Sequence, residues 1–378
     1  MNWNKKFRQI VKKLWKVSKI ILLVLSILIL LFISTIVGAK IINGNNSTIK
    51  SVNGIQESSY IELNGIKQYV QIRGQDKNNP IILFVHGGPA NPLAYLTYYY
   101  QQEIEKKYTV VHWDQRGSGR TFYENPEQTN LSSDQIVADM DALVDYLLDR
   151  FSVENVIVIG HSWGTIVGSK YVRLYPQKVT AYIEVSKVVN TFEGVKMSGE
   201  LAKQKAIEQQ NQKDIETFNT LIAELSTING YKPTVFKYYV NLRTLTFKYL
   251  PYQGKRSAFI TLWTGVSSPD FSIRDLKWFF KSTAIYDFER LETNLIKECF
   301  FFNAYEYPLS YEIPVFFVSG KYDSTTPVKL AKKYYNDISA PQKDFVIIKN
   351  AGHSPYLDNS ADFCNTVMQV LNLVEMKK

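Results

Sequence analysis

Cysteine is scarce: Cys299 and Cys364 are the only two in 378 residues. Neither sits in a metal-ligand spacing, which excludes a disulfide framework or a thiolate metal site as the basis of the fold; two such residues fit an exported protein that does not depend on disulfides. Histidine is also rare, with four, so a catalytic imidazole can be sought by elimination. Acidic residues are missing from the first 56 positions, Glu57 being the first. Residues 1–50 hold nine of the 44 basic residues, leaving 35 against all 35 acidic ones, so the net charge of +9 belongs to the N-terminus. A neutral body removes the composition argument for nucleic-acid binding. The chain shows no internal repeat, no low-complexity tract and no metal or cofactor motif, and no cofactor is expected.

One long apolar run is present. Ile20 to Ala39 is 20 residues without a charge, enough to cross a bilayer core at ~1.5 Å per residue. Seven cations from Lys5 to Lys19 precede it, and the positive-inside rule then puts the N-terminus in the cytoplasm and everything after Lys40 outside. The expected organisation is a basic cytoplasmic segment (1–19), a single transmembrane helix (20–39) and an Asn/Ser/Gly-rich linker (40–58), at the cell membrane. Small residues at Val37-Gly38-Ala39 offer the alternative of a secreted chain cut near Ala39, although the run exceeds a signal core of ~7 to 15 residues.

Beyond the linker, Asn64-Gly65 between two β-runs predicts a hairpin. Ile81 to Val85 is apolar throughout, as in a strand buried on both faces of a mostly parallel sheet. It leads into His86-Gly87-Gly88-Pro89-Ala90, a helical stretch, the strand Thr109 to Trp113 and the turn-rich Asp114 to Arg120. Ser132-Ser133-Asp134-Gln135 is a capping box ahead of Ile136, Met140, Leu143 and Leu147 on one helical face. Strand, helix and strand alternate again through residues 156–185 and from Pro314 onward. From 187 to 308 the alternation stops and the text turns helical and aromatic-rich. The fold class is therefore α/β, a mostly parallel doubly wound sheet (59–186 and 309–378) carrying a helical cap (187–308), with ligands at the carboxyl ends of the strands.

The run Val156 to Ile159 enters Gly160-His161-Ser162-Trp163-Gly164 and a helix follows. Such a turn lifts a serine hydroxyl above the sheet, with glycines where side chains would collide. The hydroxyl needs a base, and the base an orienting group. His161 lies within the turn, His86 opens a glycine loop and His112 lies in a strand, which leaves His353, in a loop after the last strand. Asp323, after the strand ending at Ser319, is the acid; Asp337 and Asp344 are less well placed. The order Ser162, Asp323, His353 is that of hydrolases built on this turn. For the oxyanion, the backbone N–H of Trp163 is one donor, and Gly88 the other, since Pro89 has no N–H.

These blocks resemble the α/β-hydrolase superfamily and, within it, the proline iminopeptidase-like serine hydrolases, over roughly residues 55 to 375. The blocks are His86 to Pro89, Trp113 to Arg120, Gly160 to Gly164, Gly320 to Asp323 and Gly352-His353-Ser354. The resemblance implies a Ser162, Asp323, His353 triad, an oxyanion hole at Gly88 and Trp163, and loop-pinning roles for Asp114 and Arg116. Two departures stand out. Ala90 replaces a usual glycine, and the sequence does not single out, among the thirteen Asp/Glu in 187–307, the cap carboxylates that hold a substrate ammonium in that family. The expected function is a membrane-anchored, outward-facing serine hydrolase acting on a small-molecule or short-peptide substrate through an acyl-serine. Within it, a proline iminopeptidase-like aminopeptidase is the first reading, a carboxylesterase or lipase-like enzyme the alternative, and a catalytically silent surface binding protein the competitor.

Overall fold

A computed structural model describes residues 3–127, 131–228, 233–250, 258–283 and 294–375. Its centre is one eight-stranded sheet in the order β1-β2-β4-β3-β5-β6-β7-β8. β1 (Ile55–Leu63) and β2 (Ile66–Gly74) form the expected hairpin, with Asn64 and Gly65 both at positive φ, as the tight turn between paired Leu63 and Ile66 demands. β2 joins β4 (Thr109–Trp113) antiparallel; β3 (Ile81–Val85), β5 (Val156–His161), β6 (Val179–Val185), β7 (Val315–Gly320) and β8 (Lys343–Ile348) run parallel. The central strands are buried from end to end, which is why they read as unbroken apolar runs.

α1 (Trp3–Ser47) precedes the sheet, and α2 (Thr97–Tyr100) and α3 (Gly119–Glu124) flank β4. α4 (Ser133–Phe151) starts on Ser132, whose side chain accepts from the Gln135 N–H, and buries Ile136, Met140, Leu143 and Leu147. α5 (Trp163–Leu174) follows β5 directly. Among the described residues, six α-helices lie between β6 and β7: α6 (Thr191–Glu208), α7 (Gln212–Ser226), α8 (Pro233–Tyr249), α9 (Ala258–Val266), α10 (Ile273–Thr283) and α11 (Asn294–Phe301). α6, α7, α8 and α11 share a small core of their own around Phe218, Phe236, Leu242 and Phe300. α12 (Val328–Asp337), α13 (Pro355–Asp358) and α14 (Ser360–Glu375) complete the chain. The stretch expected to be helical before β4 is mostly loop, with only α2 and short 3-10 turns.

The expected linker differs most from what is seen. Residues 40–47 continue α1, and β1 starts at Ile55, so only 48–54 lie between. Tertiary partners hold that helical tail: Lys40 Nζ donates to Phe271 O at 2.5 Å, Asn43 Nδ2 to Ser267 O at 2.9 Å, and buried Arg73 to Ser47 O at 2.5 Å. α1 is the one described helix long and apolar enough to cross a membrane, and its apolar stretch buries nothing against the rest of the chain.

Candidate active site

The turn after β5 is strained. Ser162 has φ 51° and ψ −118°, a left-handed conformation that side chains seldom adopt. Its flanking glycines are dictated by space: a Cβ on Gly160 would come within 2.5 Å of Gly164 O, and one on Gly164 within 2.1 Å of Val85 O. The sheet thereby presses β3 against the turn and projects the serine hydroxyl over its carboxyl edge.

Later loops deliver two side chains to that hydroxyl. His353 Nε2 lies 2.9 Å from Ser162 Oγ, and His353 Nδ1 lies 3.0 Å from Asp323 Oδ2 and 3.1 Å from Oδ1. The three residues expected to cooperate are therefore joined in one line across 191 residues of sequence. Asp323 also accepts from the Thr325 and Thr326 N–H groups, both at 2.9 Å, and from the Thr326 hydroxyl at 2.6 Å. Burial alone would raise its pKa, but His353 and the Thr326 donors outweigh it and bring the carboxyl to about 2. Asp323 is thus a fixed anion. Its contribution to stability is present above its unfolded value of ~4 and lost as pH falls through about 2. An anion on Nδ1 fixes the tautomer that leaves Nε2 free to take a proton from Ser162 Oγ.

The other three histidines are buried, and burial pushes His86 down to about 4 and His112 and His161 to about 3. They are neutral structural groups near neutral pH. His112 bonds Gln101 Oε1 at 2.8 Å in the core. His161 does more. Its Nε2–H donates to the His353 carbonyl at 2.8 Å, and its Nδ1 accepts from Tyr356 OH at 3.2 Å. The Ser186 hydroxyl donates to the same His353 carbonyl at 2.9 Å. His161 is a positioning residue, which the sequence concealed because its partner lies 192 residues away. We expect His161→Phe, which keeps a ring against His353 and Tyr356 but removes the donor, to lower kcat about 10-fold with KM unmoved, the scale of a small misplacement of the base. Steady-state kinetics on purified protein, with both parameters resolved, checks this.

Gly88 and Trp163 line the cavity that contains Ser162 and His353. Among the described residues, neither backbone N–H donates to a protein acceptor. Gln115 ties the two segments together: its Nε2 donates to His86 O at 3.0 Å and its Oε1 accepts from Trp163 Nε1 at 3.1 Å. Asp114 accepts from the Arg120 N–H at 2.8 Å, and Arg116 forms a fully buried pair with Asp139 of α4 at 2.7 Å. Ala90, where a glycine was expected, sits at φ 75°. Ala90→Gly should therefore raise stability by about 1 kcal/mol, read as a rise in the thermal midpoint.

The cavity above Ser162 measures about 560 Å³. Core loops floor it, and the helices between β6 and β7 roof it with Thr191 and Gly194 of α6, Phe236, Tyr239 and Phe247 of α8 and Phe300 of α11. Its cations are Arg243 and Lys187, the latter paired with Glu184 at 2.5 Å. None of its described lining residues is Asp or Glu. Among the described residues there is also no cluster of side chains fit to hold a metal ion.

A serine held on a strained turn at the carboxyl end of a parallel sheet is the architecture of α/β hydrolases. Residues 80–360 match the family model described as alpha/beta hydrolase fold, and the chain belongs to that family. It is 27% identical over 308 residues, 81% of this chain and 93% of the relative, to the probable aminopeptidase YbaC of Bacillus subtilis. Among solved structures it is similar to a proline iminopeptidase of Mycobacterium smegmatis, with TM-score 0.60 and 16% identity over 85% of this chain and 99% of that one. It is also similar to a membrane phospholipase A described as a bacterial virulence factor, with TM-score 0.57 and 14% identity over 96% of this chain and 99% of that one. At those identities the two structures share the fold.

Proposed function

We propose that this hydrolase is a membrane-anchored serine enzyme that cleaves an ester or amide through an acyl-Ser162 intermediate. The observation that carries this reading is the line Ser162 Oγ, His353 Nε2 and Nδ1, Asp323, with contacts of 2.9 and 3.0 Å beneath the cavity. Ser162 Oγ attacks the carbonyl carbon as His353 Nε2 takes its proton. The oxyanion accepts hydrogen bonds from the Gly88 and Trp163 N–H groups. Collapse expels the amine or alcohol, which leaves with the proton from His353; water then enters by the same route, and the acid product departs.

Among amide substrates, an N-terminal aminopeptidase activity is supported by similarity to the Bacillus subtilis protein along nearly its whole length. A carboxylesterase is the second reading, favoured by a specific observation: the described cavity lining offers Arg243 but no carboxylate to hold a substrate ammonium. Turnover of a proline arylamide against a short-chain aryl ester separates the two. Ester turnover alone removes the peptidase reading, and arylamide turnover shows that the ammonium has a partner outside the described lining.

The anchor is α1, with seven cations ahead of its apolar run and the catalytic body outside. Labelling of intact cells with a membrane-impermeant fluorophosphonate tests chemistry and topology together. A full-length labelled band in the membrane fraction is expected. A shortened band in the medium indicates cleavage near Ala39, and labelling only after lysis reverses the orientation.

A further inference from the structure

α10 has three faces. At ~100° per residue, Asp275 and Trp278 fall on one side, and both are buried. Trp278 Nε1 donates to Ala90 O at 3.0 Å, in the glycine loop of the site, while Asp275 takes a two-pronged ion pair from Arg120 at 2.7 and 3.1 Å. The next ~120° of arc carries Leu276, Phe279, Phe280 and Ile273, exposed by 37, 47, 65 and 70%. The remaining arc carries Arg274, Lys277 and Lys281. Arg274 is tied to Glu124 at 2.5 Å, and Lys281 lies 4.7 Å over the Phe122 ring. Four large apolar side chains facing water on one helix are costly for a free surface. Beside a basic arc they form the pattern of a helix lying in a membrane interface.

The position of α10 supplies the partner. The Phe271 carbonyl, two residues before the helix, takes the ammonium of Lys40, the residue that ends the uncharged run of α1. Asn43 reaches Ser267, and Gly44 lies against Pro269, where an added Cβ would be 3.5 Å from that ring. The start of α10 is thereby held at the level where α1 leaves the apolar layer.

We infer that α10 lies on the outer surface of the bilayer, with Ile273, Leu276, Phe279 and Phe280 sunk at the headgroup and acyl-chain boundary. The glycine loop of the site is then held, through Trp278, directly above the membrane. This rests on α1 being a membrane span.

The test uses the full-length chain in nanodiscs whose lipids carry brominated acyl chains, with an environment-sensitive thiol label at one introduced cysteine. Phe279→Cys probes the proposed contact, Leu30→Cys the span, and Glu154→Cys the loop at the opposite, amino-terminal edge of the sheet. Each variant carries Cys299→Ala and Cys364→Ala as well, because Cys299 lines the cavity and its thiol would otherwise compete for the label. Fluorophosphonate labelling of each variant establishes that it is folded. Loss of emission at positions 30 and 279, with 154 unchanged, is the expected result. Loss at 30 alone overturns the inference while leaving the anchor, and assigns the apolar arc to a protein partner or a second copy. No loss at 30 overturns the anchor itself.

Discussion

Ser162→Ala should lower kcat by about 10⁴- to 10⁶-fold and abolish fluorophosphonate labelling, while leaving the thermal midpoint close to that of the native chain. The small structural effect follows from what the hydroxyl touches. Its side-chain contact is with His353, and the positive φ at 162 strains alanine as it strains serine. What the variant loses, on the proposed mechanism, is the atom that forms the acyl bond. The catalysis that remains on that mechanism comes from binding and from the Gly88 and Trp163 N–H groups. A folded variant keeping more than about a hundredth of native turnover would place the nucleophile elsewhere, whereas a folded native chain that neither turns over substrate nor labels would return it to the reading of a surface protein that has kept the fold alone.

Asp323→Asn should cost about 10⁴-fold in kcat with little change in KM. Asp323 Oδ1 faces two backbone donors, from Thr325 and Thr326, while Oδ2 faces the Thr326 hydroxyl, and both oxygens lie within 3.1 Å of His353 Nδ1. An asparagine can satisfy the two fixed N–H groups only with its oxygen at the Oδ1 position. Its amide nitrogen then points at His353 and donates to Nδ1. The imidazole is forced to carry its proton on Nε2, the nitrogen that must receive the proton of Ser162. The substitution is nearly isosteric, so a loss of less than about 10-fold in a folded variant would mean that Asp323 does not set the tautomer. Because the native carboxyl stays charged down to about 2, no loss of activity above pH 4 belongs to its protonation.

The parts legible in the sequence were those written locally. The apolar runs announced β3, β5 and β7, and Ser162, Asp323 and His353 each lie just after a strand, so their shared edge followed from the topology. Gly160 and Gly164 were readable because a close backbone approach admits no other residue. The parts not legible depended on distant partners. His161 looked like part of a turn until Tyr356 and the His353 carbonyl stood on either side of it. Gln115 sat in a turn-rich block with no sign that it would join His86 to Trp163. Residues 40–58 read as a linker from their Asn, Ser and Gly content. The helical tail there is fixed by Ser267, Phe271 and Arg73, more than 25 residues away in sequence, and local propensity yielded to those contacts.

That uninterrupted helical tail sets the geometry of search. A hydrolase on a slack tether sweeps a hemisphere and meets substrate at a rate governed by bulk concentration. Here, on the membrane-anchored reading, α1 enters the body as one rigid rod, bonded through Lys40, Asn43 and Ser47. The height and tilt of the Ser162 hydroxyl above the lipid are then constants of the molecule. For a substrate that itself lies in the membrane, encounters are then two-dimensional, and the quantity that governs flux is the number of substrate molecules per unit area within one shallow layer.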